Sequence, residues 1–182
     1  LELKNRPKLP EKSEYLPNRI MLSLSNLCNL GCIYCYIPDA SEPIILPWAK
    51  IEQAISTIFS NAQKTERDSV GILFHGTGES LVKWPYLVKT VKYAINNKPA
   101  NLQLNFSLVT NGTLIDEEKA RFLSEHNFSL TLSMDGLEDS QNASRPHASS
   151  EGSFSDLVKG IEYLIKYNVD LIIRSTITKT NI

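Results

Sequence analysis

The chain has 182 residues, 42% of them hydrophobic and 21% charged, with a formal net charge of −1 at neutral pH. That length fits one globular domain with a real core. The near-zero charge excludes the broad basic field that nucleic acid or an anionic membrane surface would call for, and no apolar run is long enough to span a bilayer.

Residues 1–17 are expected to form an N-terminal extension ahead of a core at 18–182. Their first part is polar and contains proline, unlike a secretory leader, so a cytoplasmic address is expected. The chain opens on Leu1 rather than Met, as a piece cut from a longer protein would. Residues 19–27 alternate apolar and polar side chains, the period of a half-buried strand, and run straight into the cysteines. Further strands are expected at 69–74, 102–110, 129–133 and 170–178.

Helical periods fill the gaps. Residues 47–62 put Ile51, Ile55, Ile58 and Phe59 on one face, with Pro47 suited to the first turn. Residues 85–96 gather Leu87, Val88, Val91 and Ile95. Residues 116–126 start on Asp116, a good N-cap, followed by two acids at the positive end of the helix dipole. Residues 153–167 start with a capping-box-like Ser153 and Asp156, and turn Phe154, Leu157, Ile161, Leu164 and Ile165 to the core. Strand and helix alternate throughout, which predicts an α/β fold with a parallel sheet. By pattern alone it is either open and doubly wound or part of a barrel. In both cases functional groups belong at the C-terminal ends of the strands.

The three cysteines of the chain, Cys28, Cys32 and Cys35, all lie within one window of eight residues after the first strand. An odd, clustered set is a poor disulfide framework and suits a reducing compartment. A C-x3-C-x2-C loop can wrap three thiolates around one corner of an iron–sulfur cube and leave one iron without a protein ligand. Two alternatives stay open: a structural zinc site completed by His75, His126 or His147, and an iron–sulfur module that only carries electrons. The second strand ends in a glycine-rich turn with a carboxylate, residues 74–80. The third ends in Thr110-Asn111-Gly112-Thr113. The fourth ends in Ser133-Met134-Asp135-Gly136, with a polar loop of about 17 residues beyond it that contains Arg145. Asp135 and Glu138 are acids without an assigned role.

Residues 28–36, CNLGCIYCY, resemble the signature of the radical S-adenosylmethionine (SAM) superfamily. Gly76-Thr77-Gly78-Glu79 resembles its Gly-Gly-Glu motif, with Thr77 where glycine is usual and Ser80 where proline is common. The stretch from Ser133 through Arg145 to residues 152–154 resembles the SPASM-type members, which include peptide and sulfatase maturases. The resemblance implies a partial (β/α) TIM-like barrel of parallel strands, here an incomplete core with its first five strands. It implies a [4Fe–4S] cluster on Cys28, Cys32 and Cys35, whose open iron binds SAM. Electron transfer then yields a 5′-deoxyadenosyl radical that abstracts hydrogen. It further implies that Tyr34 lies near the adenine and that Gly78 and Glu79 serve the amino group. Ser133 is implied at the ribose, Arg145 at the carboxylate, and Asn111 against cofactor or substrate. A peptide or protein substrate and an external electron donor, such as a flavodoxin or ferredoxin, follow from the same likeness; nucleic acid and membrane do not.

Overall fold

The computed structural model describes residues 14–37 and 42–179. Strands β1 (Arg19–Leu22), β2 (Ser69–Phe74), β3 (Gln103–Thr110), β4 (Ser129–Ser133) and β5 (Asp170–Arg174) form one sheet in the order β1-β2-β3-β4-β5, every neighbour parallel. The crossovers are carried by α1 (Trp48–Lys64), α2 (Trp84–Asn97), α3 (Glu117–Glu125) and the pair α4 (Glu138–Ser144) and α5 (Phe154–Lys166). A doubly wound sheet reverses its strand order at a switch point. Here the order never reverses, so of the two expected closures the observed one is the wall of a partial (β/α) barrel.

Alternation along the strands sets the packing. In β2, Val70, Ile72 and Phe74 are buried while the residues between them are only partly covered. The buried set meets Ile51, Ile55 and Ile58 of α1 and Leu87, Val91 and Ala94 of α2, all within one core. Full burial of an Ile or Leu side chain contributes about 1.5–3 kcal/mol. Phe106 stacks on Phe128 and Phe128 on Phe74 at ring separations of 5.2 and 6.0 Å. Asp116 caps α3 as expected, accepting the Lys119 amide at 2.9 Å. No described helix is long and apolar enough to cross a membrane.

Five expectations are corrected. β1 ends at Leu22 rather than 27, because residues 24–26 change partner: Leu46 N donates to Leu24 O, Asn26 N donates to Ile44 O, and Ser25 bridges Ile45. β5 ends at Arg174 rather than 178, because Thr176 N turns to the Asp135 carboxylate and Ser175 Oγ to Met134 O. The polar loop after β4 contains the short helix α4, whose sequence EDSQNAS carries no apolar stripe to announce it. In α5, Leu157, Gly160 and Leu164 form the buried line and Ile165 is 66% exposed. Ser153 makes no cap there, since its hydroxyl donates to Arg145 O at 2.6 Å instead.

Candidate functional site

The cysteine loop leaves the C-terminal end of β1 and is tied by its backbone to the segment after α4. Gly31 N donates to Pro146 O at 2.8 Å, Ile33 N to Ser144 O at 3.1 Å, and Ala148 N to Asn29 O at 3.1 Å; Leu30 and His147 form an antiparallel bridge. The thiols stay accessible: Cys28 and Cys35 are exposed and Cys32 is half-buried. Burial pushes the Cys32 thiol up to about 11, with Arg145 pulling it down and Cys28, Cys35 and Asp135 pushing it further up. Cys28 is likewise raised, by burial first, against the Leu30 amide, with Glu79 and Cys35 adding to the rise. The thiols thus lie close enough to oppose one another's ionisation, and a metal centre bound there would supply the missing positive charge.

The residues fit a cluster better than a single ion. Among the described residues, no three His, Cys, Asp or Glu side chains converge as one metal ion would need. A tetrahedral zinc site holds all its sulfurs about 2.3 Å from one point. A cubane takes each thiolate at a different iron and needs no such convergence. Two of the imidazoles have other partners: His147 Nε2 pairs with Asp156 at 3.0 Å, and the His126 ring packs on Phe122 at 4.3 Å. Burial and the Arg174 charge hold the half-buried His75 below its ordinary value.

The turn after β2 is locked against the root of the cysteine loop. Gly78 sits at φ +69°, and a Cβ there would lie 2.3 Å from Leu27 O, so only glycine fits. Glu79 N donates to the same carbonyl at 2.7 Å. The Glu79 carboxylate is buried and already satisfied by this chain: it accepts from Leu81 N at 3.0 Å, Thr110 Oγ1 at 3.0 Å and Asn111 N at 2.8 Å. Burial raises its pKa, and these three donors offset only part of the rise. Thr77 meets Ser23 through its hydroxyl at 2.6 Å and its amide at 3.0 Å.

The turn after β3 joins the same assembly. Asn111 Nδ2 donates to Asn29 Oδ1 at 3.0 Å, and Asn29 Nδ2 to Thr113 Oγ1 at 2.8 Å. Asn29, inside the cysteine loop, had no role in the sequence reading; its signal was only its position between two cysteines. Gly160 of α5 was invisible there too. Its Cβ would stand 2.4 Å from Gly112 O, so the helix seats directly on this turn.

At the end of β4, Ser133 is buried in register with Arg174. Two residues on, Asp135 gathers the remaining groups. It accepts from Arg145 Nε at 2.9 Å and Arg145 Nη2 at 3.2 Å, from the Tyr34 hydroxyl, and from Thr176 N at 2.9 Å. The Arg145 guanidinium lies 5.3 Å from the Tyr34 ring centroid. Burial pushes the Asp135 carboxyl up, but the hydrogen bonds from Tyr34, Arg145 and Thr176 prevail and hold it below the usual range. Tyr34 is raised, by burial and then by Asp135. The candidate residues of the sequence reading therefore fall at one end of the sheet. Cys32, Tyr34 and Arg145 form one side, and Cys28, Gly78, Glu79 and Asn111 the other.

A family model described as the radical SAM superfamily matches residues 22–181. The serine-type anaerobic sulfatase-maturating enzyme of Klebsiella aerogenes is 29% identical over 166 residues, covering 90% of this chain and 41% of that protein. The cysteine-type anaerobic sulfatase-maturating enzyme of Clostridium perfringens (strain ATCC 13124) is 30% identical over 156 residues, covering 85% and 42%. Among solved structures, native anSMEcpe with bound AdoMet and Cp18Cys peptide matches with a TM-score of 0.76 at 30% identity, over 86% of this chain and 42% of that one. The chain thus spans about two fifths of the length of these relatives.

Proposed function

Because the chain belongs to the radical SAM superfamily, we propose that Cys28, Cys32 and Cys35 hold a [4Fe–4S] cluster and that SAM binds beside it. When bound and reduced, the cluster supplies the electron that splits SAM into methionine and a 5′-deoxyadenosyl radical. The chain's own residues receive the cofactor. Arg145 offers a charge-assisted fork to the carboxylate. Ser133 meets the ribose, and Tyr34 stands near the adenine. Asn111 is set toward cofactor or substrate by its bond to Asn29. Glu79, whose oxygens are taken by three donors of the chain, serves the amino group through the Gly78 turn it fixes. The substrate is a peptide or protein side chain, by analogy with the sulfatase-maturating relatives and the peptide-bound structure. A flavodoxin- or ferredoxin-type donor supplies the electron.

The observation that carries this reading is the backbone seam between the cysteine loop and residues 144–148, which brings Arg145 beside Cys32. The test is electron paramagnetic resonance on anaerobically reconstituted, dithionite-reduced chain with and without SAM. A [4Fe–4S]⁺ signal whose g-values change on adding SAM is expected. A signal indifferent to SAM would leave only an electron carrier.

A further inference from the structure

Three segments converge on Asp135. Its carboxylate takes both prongs of Arg145, the Tyr34 hydroxyl and the Thr176 amide. Its own amide donates to Gln141 Oε1 at 2.8 Å. Gln141 is fully buried, and its Nε2 reaches the Ser153 hydroxyl, which in turn donates to Arg145 O. The Asp135 side chain is 0% exposed and that of Arg145 is 9% exposed. No water-facing atom of the acid remains for a reaction, which argues against Asp135 as a base that exchanges protons with substrate.

We propose that Asp135 is a positioning residue: its carboxylate fixes the Arg145 guanidinium in the place where the SAM carboxylate is received. This rests on the reading that Arg145 receives that carboxylate. Asp135 engages Nε and Nη2 and leaves Nη1 out of the pair. The incoming carboxylate therefore shares the guanidinium and does not displace the acid. Displacement would strand a buried carboxylate together with the Tyr34 hydroxyl and the Thr176 amide that now satisfy it, a costly loss in a dry site. Tyr34 is next to Cys35 in sequence and Thr176 follows β5. One carboxylate thus ties the cluster loop, the end of α4 and the last strand into a single frame. Without it, Arg145 would keep its charge but lose the orientation that a bidentate contact imposes.

The test compares two adenosyl ligands on the reconstituted 182-residue chain. SAM carries the amino-carboxylate; 5′-methylthioadenosine lacks it. Affinities are read from the cluster's resonance signal for SAM and by calorimetry for 5′-methylthioadenosine. Asp135→Asn turns a donor toward Arg145. It is expected to weaken SAM binding about tenfold or more and to change 5′-methylthioadenosine binding by less than about twofold. Asp135→Glu keeps the charge on a longer arm; it is expected to lose less SAM affinity, with the same indifference of the shorter ligand. Equal losses for both ligands would mean a general structural role and overturn the proposal, as would unchanged SAM affinity. If the unsubstituted chain binds a cluster but no SAM, the proposed function fails first and this inference with it.

Discussion

Gly78 shows how much one missing Cβ decides at this site. A left-handed backbone costs an ordinary residue about 1–2 kcal/mol, and here the added carbon would also overlap a carbonyl oxygen at 2.3 Å. Gly78→Ala is expected to destabilise the chain by more than about 2 kcal/mol in urea unfolding and to lower the iron bound on reconstitution. Glu79 beside it makes a pH-dependent contribution of known sign. Burial raises its folded pKa above the ordinary carboxylate value. Its contribution is therefore fully present below the unfolded pKa and is lost as pH rises through the folded value. The cluster-free chain, measured against Glu79→Gln by urea unfolding, is expected to lose relative stability on going from acid toward neutral pH. A difference that stays flat, or grows, would contradict that. Gly78 and Glu79 were legible as a strand-end motif in the sequence. What the sequence could not reveal was that the carboxylate faces inward to Thr110 and Asn111, because those partners are 31 and 32 residues away along the chain. Asp135 stood out there only as an acid without a role, for the same reason.

Helix α5 sets two rules against each other. Ala is a better helix former than Gly by about 1 kcal/mol, so propensity alone predicts that Gly160→Ala stabilises the chain. The close approach of Gly112 O, 2.4 Å from the added carbon, predicts the opposite. Backbone cannot yield as a flexible side chain does, so the clash is expected to win by about 1–3 kcal/mol net, read as a lower urea midpoint. The elements themselves were largely legible. β2 and β4 lie where alternation puts them, since both are central and each has a buried face. The errors fall where tertiary partners outbid local pattern. β1 and β5 stop short because residues 24–26 and 175–176 find other partners. The Ser153 hydroxyl, which reads as a cap, is drawn to the Arg145 carbonyl. Helix α4 escaped notice because its seven residues are polar all round but for one alanine, leaving no period to detect.

At the scale of the molecule, a partial barrel must end on two strand edges, and among the described residues these are β1 and β5. The β5 edge is the apolar one. Ile172 and Ile173 are 67% and 52% exposed, and Ile177 just beyond is 78% exposed. Ile173 lies in register with Leu132, which is fully buried, so the same side of the sheet passes from core to solvent within one strand spacing. An unpaired edge with exposed isoleucines is a template for another strand. The 182-residue chain is therefore expected to self-associate with rising concentration in sedimentation velocity. Ile172→Lys with Ile173→Lys is expected to weaken that association about tenfold or more by placing like charges where two edges would meet. The SAM response in electron paramagnetic resonance should survive the double substitution, since neither side chain belongs to the cluster loop or to the network around Asp135. A wild-type chain that stays monomeric at every concentration would mean that the charges at the two ends of the strand, Asp170 and Arg174, with Lys179 beyond it, already protect the edge, as charged residues do on natural edge strands.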